Sequence, residues 1–314
     1  MKKFPRSFML PLLLALCLAL TACTDAAQPA ASGTSAAQAS PSASASASAQ
    51  EATPAPVAED VATLAQGASE SMILVNADNP VGEGFQPPAL KTLKSLITQP
   101  VKLDDDSIQA DPCVADAMNA MLAAAKADGE ATMRIQNGYR SYSRQKEIFD
   151  STVNYHKTQE KKTEQEAMTI TKSKVAVPGY SEHHTGLCFD FGSVEADGIP
   201  FGQTAHAAWL KNNVYKYGFI IRYPEDKQSI TGTIPEPWHV RYVGLPHSEI
   251  MQKQGLCLEE YWQALQSGPI TETVDSGTYQ VYYAPEGGSL TLPQGERTIA
   301  SDGRGGVVVA VKVS

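Results

Sequence analysis

Two stretches of sequence decide the fold, SEHHTGLCFD at residues 181–190 and EPWHVRY at residues 236–242. Together they hold the densest set of histidines and acidic residues in the chain. Residues 186–191 and 238–243 are rich in apolar and aromatic residues, so each predicts a strand. Both stretches therefore place polar residues on elements that a folded core would hold rigidly.

The polar residues of the two stretches form a recognisable set of metal donors. His183 and His239 offer imidazoles and Asp190 offers a carboxylate, and this N,N,O set suits a catalytic zinc whose fourth position is left for water. Glu236 precedes His239 by three residues and is expected beside that water, first as general base and then as proton donor to the leaving amine.

Other residues of the first stretch leave alternatives open. A histidine and an aspartate seven positions apart are weak evidence of a metal by themselves. His184 adjoins His183 and is an alternative ligand. Cys188 is either a small buried hydrophobe or, as a thiolate, a competing ligand.

Outward from these stretches, short strands alternate irregularly with helices, which predicts an α+β fold. Asp111 followed by Pro112 indicates a helix that runs to Gly129. After Gly268 the sequence predicts a small β-rich appendage. The remaining elements are strands at 132–136, 219–223, 278–283, 289–292 and 307–313, and helices at 143–173, 205–217, 248–254 and 258–266.

The start of the chain has the composition of a leader and a linker. Three basic residues precede an apolar run at 9–20, and the small residues that follow lead to Cys23, an order that resembles the bacterial lipobox. Residues 1–22 are predicted to be a lipoprotein signal peptide, and the run is shorter than a bilayer requires. Residues 23–58 are predicted to be a lipidated Cys23 and a disordered Ala/Ser/Pro-rich tether.

The rest of the chain divides into two predicted parts, a catalytic domain at 59–267 and the β-rich C-terminal extension at 268–314. These two parts hold three cysteines, Cys113, Cys188 and Cys257, so at least one cannot pair within the chain. A Cys113–Cys257 disulfide is conceivable, but nothing in the sequence requires it.

Composition excludes several classes of protein. The 314 residues carry a formal charge of −9, with 42% hydrophobic and 19% charged residues. This balance is globular and acidic, and it predicts no binding to nucleic acid. With five cysteines in the whole chain, the fold must depend on a packed core and not on disulfides.

Three ordered motifs carry a resemblance to a known family. They are NGYRSY at 137–142 followed by Gln145, then S-x-H-x-x-G-x-x-x-D at 181–190, then EPWH-x-RY at 236–242. Together they resemble the VanY-like D-alanyl-D-alanine carboxypeptidases, a family of zinc peptidases, over about residues 74–244. The chain departs from the family pattern at Cys188, where the family has a small alanine-like residue.

The resemblance implies a role for each matching residue. It implies a small antiparallel sheet that carries the zinc site under flanking helices. Arg140 is implied to steady charge on the scissile carbonyl or to hold the substrate carboxylate, two roles that the sequence does not separate. The other implied roles are zinc ligands at His183, Asp190 and His239, a catalytic base at Glu236, and substrate-pocket positions at Gln145 and Ser181.

The function expected from the sequence is that of an extracytoplasmic zinc carboxypeptidase, held at the membrane by a lipid anchor at Cys23. Its expected substrates are peptidoglycan stem peptides, from which it would remove the terminal D-alanine. Three alternatives remain open at this point: L,D-carboxypeptidase activity on tetrapeptide stems, endopeptidase activity on cross-links, and a non-catalytic wall-binding lipoprotein.

Overall fold

The fold is mixed α and β, as the sequence predicts, and the computed structural model describes residues 55–193 and 198–314. The strands are β1 (Val57–Asp60), β2 (Lys91–Thr92), β3 (Lys102–Leu103), β4 (Gln109–Ala110), β5 (Arg134–Asn137), β6 (Cys188–Gly192), β7 (Phe219–Tyr223), β8 (Glu236–Tyr242), β9 (Ile270–Val274), β10 (Gly277–Ala284), β11 (Ser289–Leu292), β12 (Arg297–Ser301) and β13 (Val307–Lys312). The helices are α1 (Val61–Leu64), α2 (Leu93–Leu96), α3 (Ala115–Ala127), α4 (Tyr142–Thr158), α5 (Glu164–Lys172), α6 (Ala205–Asn213), α7 (Gln228–Thr231), α8 (His247–Gln254) and α9 (Leu258–Ser267).

The five-stranded sheet that holds both motif stretches has the order β3-β5-β6-β8-β7. It is antiparallel apart from the short β3–β5 pair at one edge. Side chains alternate between the faces of a strand. Phe189 and Val240 therefore face a core that includes α3 and α6, while Asp190 and His239 lie on the other face. This alternation separates the apolar core from the polar site.

Local signals explain the helix that precedes the sheet. The Asp111 carboxylate accepts a hydrogen bond from the backbone N–H of Cys113 at 2.8 Å, and Pro112 is the first residue of a short 3₁₀ helix that leads into α3. Such a cap satisfies an N–H that the helix itself leaves unpaired. The predicted helix between Pro112 and Gly129 is thereby confirmed.

The polar segment at 143–173 is a hairpin of two helices, α4 and α5, where the sequence predicted one exposed helix or a helical insertion. Thr163 and Glu166 form a capping box that begins α5, which explains the break. The hairpin also has a small apolar cluster of its own, around Phe149, Val153 and Ala167.

The C-terminal strands form a second antiparallel sheet with the order β12-β13-β10-β9, and β11 pairs separately with β1. This sheet shares a core with α8 and α9, through side chains such as Ile250, Trp262, Val281 and Val308. The described residues belong to one compact unit. The C-terminal strands are thus packed against the helices that follow β8.

The predicted signal peptide, Cys23 and most of the predicted tether lie outside the described residues. Among the residues that are described, no helix has both the length and the apolar character needed to cross a bilayer.

Candidate metal centre

His183 is held in a fixed orientation by the backbone around it. It lies in a 3₁₀ helix, Glu182–Thr185, which ends at Gly186. Its Nδ1 lies 2.7 Å from the carbonyl oxygen of Gly138, so this nitrogen donates and Nε2 is left as the nitrogen with a free lone pair. Nε2 lies 3.2 Å from Oδ2 of Asp190.

Gly186 makes the short path from His183 to β6 sterically feasible. Its φ is +70°, and a Cβ placed there would lie 2.9 Å from the backbone nitrogen of Asp111. Glycine adopts this left-handed conformation without steric cost. The chain can therefore turn sharply between the histidine and the strand that carries Asp190.

Asp190 and His239 complete the cluster from adjacent strands. His239 Nδ1 lies 3.2 Å from Asp190 Oδ1, and the two imidazole rings meet edge to face with centroids 5.0 Å apart. Asp190 Oδ1 is buried and has no hydrogen-bond partner. Buried polar atoms without partners are rare, so this cluster has the character of a site that a cation completes.

The electrostatics of the cluster agree with that interpretation. Burial opposes ionisation of Asp190, but the adjacent His183 and His239 outweigh it and hold the carboxyl pKa well below its ordinary value. Asn137 also donates a hydrogen bond to Asp190 Oδ2 at 2.9 Å. The carboxylate is therefore held ionised and oriented.

Glu236 lies next to the cluster, with Oε2 3.5 Å from Nδ1 of His239. Burial raises the pKa of its carboxyl above the ordinary value. A carboxylate made more basic beside a metal is suited to accept a proton from a bound water.

Arg140 and Gln145 form one hydrogen-bonded unit in the wall of the same cavity. Arg140 Nη1 donates to Gln145 Oε1 at 2.8 Å, and Gln145 Nε2 donates to the carbonyl of Ala176 at 2.7 Å. Arg140 Nη2 lies 3.8 Å from Asp190 Oδ2. Gln145 thus links the guanidinium to the segment that follows α5.

All seven site residues predicted from the sequence line one cavity of about 270 Å³. They are Arg140, Gln145, Ser181, His183, Asp190, Glu236 and His239. His184 is oriented differently, because its Nδ1 lies 2.7 Å from the carbonyl oxygen of Arg140 and its Nε2 accepts a hydrogen bond from the Gly179 N–H. Both of its nitrogens are therefore occupied by backbone groups.

Sequence reasoning missed a buried ion-pair network behind His239. Glu182 Oε1 accepts hydrogen bonds from Arg222 and Arg241 at 2.8 and 2.7 Å, and all three side chains are inaccessible to solvent. Arg222 also binds Glu259 of α9. The other oxygen of Glu182 lies 3.6 Å from His239 Nε2. The spacing of residues along the sequence gave no signal of this network, since its members lie far apart along the chain.

Cys188 is a second donor close to the same histidines. One donor atom from each of His183, Cys188 and His239 lies within 4.8 Å of the others, and all three residues are buried. Cys113, Cys188 and Cys257 are all free thiols, so the conceivable Cys113–Cys257 disulfide is absent here.

A buried N,N,O cluster with a carboxylate beside it and a cavity in front is the arrangement of a metal-dependent hydrolase. The family model described as "VanY: D-alanyl-D-alanine carboxypeptidase" matches residues 107–245. A D-alanyl-D-alanine carboxypeptidase of Enterococcus faecalis (strain ATCC 700802 / V583) is 37% identical over 209 residues, which are 66% of this chain and 72% of that protein. The chain belongs to the VanY family of carboxypeptidases.

Other comparisons agree with this family. YodJ of Bacillus subtilis (strain 168) is 46% identical over 153 residues, which are 48% of this chain but only about half, 52%, of that protein. A zinc complex of a mutant vancomycin-resistance D,D-pentapeptidase VanY is 37% identical, with a TM-score of 0.52 over 62% of this chain and 99% of that one. The LD-carboxypeptidase LdcB is 36% identical, with a TM-score of 0.52 over 62% of this chain and 86% of that one.

Proposed function

We propose that this chain is a zinc-dependent D-alanyl-D-alanine carboxypeptidase that removes the terminal D-alanine from peptidoglycan stem peptides. The observation that carries the proposal is the placement of Asp190, whose two oxygens each lie 3.2 Å from a different imidazole. Tetrahedral zinc with ligands at about 2.0–2.1 Å separates neighbouring donors by about 3.3 Å. Each Asp190 oxygen therefore lies at a spacing from one imidazole that a shared ion allows, and His183, Asp190 and His239 are the proposed ligands.

Glu236 is the proposed general base and acid. The chemistry that bound zinc supplies is activation of a water molecule and polarisation of the scissile carbonyl. Glu236 accepts the proton of the attacking water and then delivers it to the amine that leaves. Its position 3.5 Å from a proposed ligand and its raised carboxyl pKa both favour this role.

Arg140 is the proposed stabiliser of negative charge on the substrate. Its guanidinium is mostly buried, lines the cavity, and is oriented by the hydrogen bond to Gln145. A fixed donor of this kind acts on charge that develops at the carbonyl oxygen. Gln145 acts mainly by positioning Arg140, while Ser181 at the cavity wall is available to the substrate's terminal carboxylate.

A second candidate is L,D-carboxypeptidase activity, which removes the last residue of a tetrapeptide stem. The similarity to LdcB favours it, since the identity and TM-score for LdcB nearly equal those for VanY. Endopeptidase cleavage and a non-catalytic wall-binding role are the remaining alternatives. Retention of Glu236 beside the donor cluster disfavours the non-catalytic role, since a binding protein has no need of that base.

The expected location is the outer side of the cytoplasmic membrane, because a peptidase of stem peptides works where peptidoglycan is built. Within the proposal, Cys23 carries a lipid anchor and the segment between Cys23 and β1 tethers the enzyme domain above the membrane. The predicted tether at 23–58 is two residues too long, since Val57 and Ala58 belong to β1 and pair with β11. Replacement of Cys23 by alanine is expected to release the protein from the membrane fraction.

The decisive experiment is mass spectrometry of digests of pentapeptide, tetrapeptide and cross-linked stem peptides by the purified, zinc-loaded protein. The proposal expects free D-alanine from the pentapeptide, and no release after zinc is removed with a chelator. Release from the tetrapeptide alone would select the L,D candidate, and separation of cross-linked dimers would select the endopeptidase. Zinc binding without any cleavage would leave only the non-catalytic role.

A further inference from the structure

We infer that Cys188 is a fourth protein ligand of the metal, beside His183, Asp190 and His239. The inference rests on the proposed assignment of His183 and His239 as ligands. Cys188 precedes Asp190 by two residues on β6, so both side chains leave the strand on the same face. Donor atoms of Cys188 and of both histidines lie within 4.8 Å of one another.

The surroundings of Cys188 do not fit a merely hydrophobic role. A buried thiol that only fills space is expected among aliphatic and aromatic side chains. Cys188 has no exposed surface, and donor atoms of two imidazoles, those of His183 and His239, lie within 4.8 Å of its sulfur. Cys113, by contrast, packs against the main core.

One further atom shows that the cluster lacks a partner. Asp190 Oδ1 is buried without a hydrogen bond. A cation bound among these side chains would supply the interaction that Asp190 Oδ1 lacks.

A thiolate has chemical consequences for the ion that binds. Sulfur ligands favour zinc and other thiophilic metals over magnesium, calcium or manganese. Zinc can expand to five ligands during catalysis, so four protein donors still leave room for a water. Cys188 is therefore expected to tighten metal binding without closing the site.

X-ray absorption at the zinc edge tests the inference on the full chain as it exists. The expected spectrum needs one sulfur at about 2.3 Å besides nitrogen and oxygen at about 2.0–2.1 Å. A first shell of nitrogen and oxygen alone would overturn the assignment, whether or not the protein is active. This measurement requires no substitution, so it does not depend on the folding of a variant.

Cobalt substitution assigns the sulfur to Cys188. The cobalt-loaded protein is expected to show a thiolate-to-metal charge-transfer band that is lost in Cys188→Ala and kept in Cys257→Ala. Cys257 is a matched control because it is also a buried free thiol but lies outside the donor cluster. A band that survives in Cys188→Ala, or is absent from the unsubstituted protein, would contradict the inference.

Competition with a chelator gives a second readout. Loss of groups that merely orient metal ligands costs about 10–100-fold in metal affinity, so loss of a direct donor is expected to cost at least about tenfold. Unchanged affinity in a folded Cys188→Ala protein would contradict direct ligation. If the protein releases D-alanine but its zinc has no sulfur ligand, this inference is overturned and the proposed function stands. If the zinc has a sulfur ligand but no stem peptide is cleaved, only the proposed function is overturned.

Discussion

Asp190 and His239 are direct partners across the β6–β8 pair, and their side chains meet at 3.2 Å on the face away from the main core. The backbone hydrogen bonds of two adjacent strands therefore set the distance between these donors. A shift of one residue in this pairing would turn one of them to the opposite face. The geometry of the candidate site thus depends on strand register more than on any loop.

Replacement of Glu236 by Gln is expected to abolish most hydrolysis and to leave zinc bound. The amide cannot accept a proton, and loss of general acid–base catalysis typically costs about 10²–10⁴-fold in rate. Turnover and zinc content of the same preparation are the measurements. Glu225→Gln, an exposed neighbour, is the control and should keep full activity. Retained turnover in Glu236→Gln would remove this residue from the mechanism.

Arg140→Lys is expected to separate the two roles open to this arginine. Loss of one stabilising donor costs roughly 10²–10³ in kcat, and a lysine cannot reproduce the planar fork of the guanidinium. A fall in kcat with little change in KM indicates charge stabilisation at the carbonyl. A raised KM indicates binding of the terminal carboxylate. Arg144→Lys, in an exposed pair with Glu147, should change neither, and unaltered kinetics in Arg140→Lys would exclude both roles.

The buried cluster of Glu182, Arg222 and Arg241 is expected to be essential for stability. Removing one charge from a buried pair costs about 3–5 kcal/mol, because the partner is left uncompensated. Glu182→Gln should therefore unfold at much lower denaturant concentration. Glu147→Gln breaks a solvent-exposed pair and should cost at most about 1 kcal/mol. Equal effects of the two substitutions in urea titrations would refute this explanation.

His247 is expected to make the folded protein less stable in mild acid. Burial lowers the pKa of its imidazole to about 4, against about 6.5 in the unfolded chain. The unfolded state then binds the proton first, so stability is full above about pH 6.5 and falls by about 3 kcal/mol as the pH drops to about 4.

Urea unfolding at a series of pH values tests the role of His247, which packs against Tyr261 with Nδ1 2.9 Å from the hydroxyl. His247→Asn should be less stable at neutral pH but lose less stability between pH 6.5 and 4. Parallel pH profiles for the two proteins would assign the acid sensitivity to other groups.

Gly186→Ala is expected to destabilise more than Gly232→Ala, although both glycines have a φ near +70°. The backbone conformation alone costs an alanine about 1–2 kcal/mol. At Gly186 the added methyl would also lie 2.9 Å from the Asp111 backbone nitrogen, whereas at Gly232 nothing lies within 4 Å. Thermal unfolding of both variants is the measurement, and equal losses would show that the close approach relaxes at little cost.

Much of the local structure followed from short patterns. The cap at Asp111 and the strand that ends the SEHHTGLCFD stretch appear close to where the sequence placed them. Strands β9 and β12 were missed because each has only five residues and carries several polar side chains, although each pairs with the next strand along the chain. The turn between α4 and α5 was also missed, since the Thr163 capping signal stands within an almost uniformly polar segment.

The sequence by itself determined the kinds of donor available: imidazoles and acids in motifs a few residues long, whose chemistry depends on residue type. Only the tertiary structure decided that Glu182 supports His239 with two buried arginines, and that the Cys188 thiol lies with the histidines. The physical reason is that these distances arise from pairing between strands far apart in the chain. Backbone hydrogen bonds and the packed core stabilise such pairing, and the spacing of residues along the sequence does not predict it.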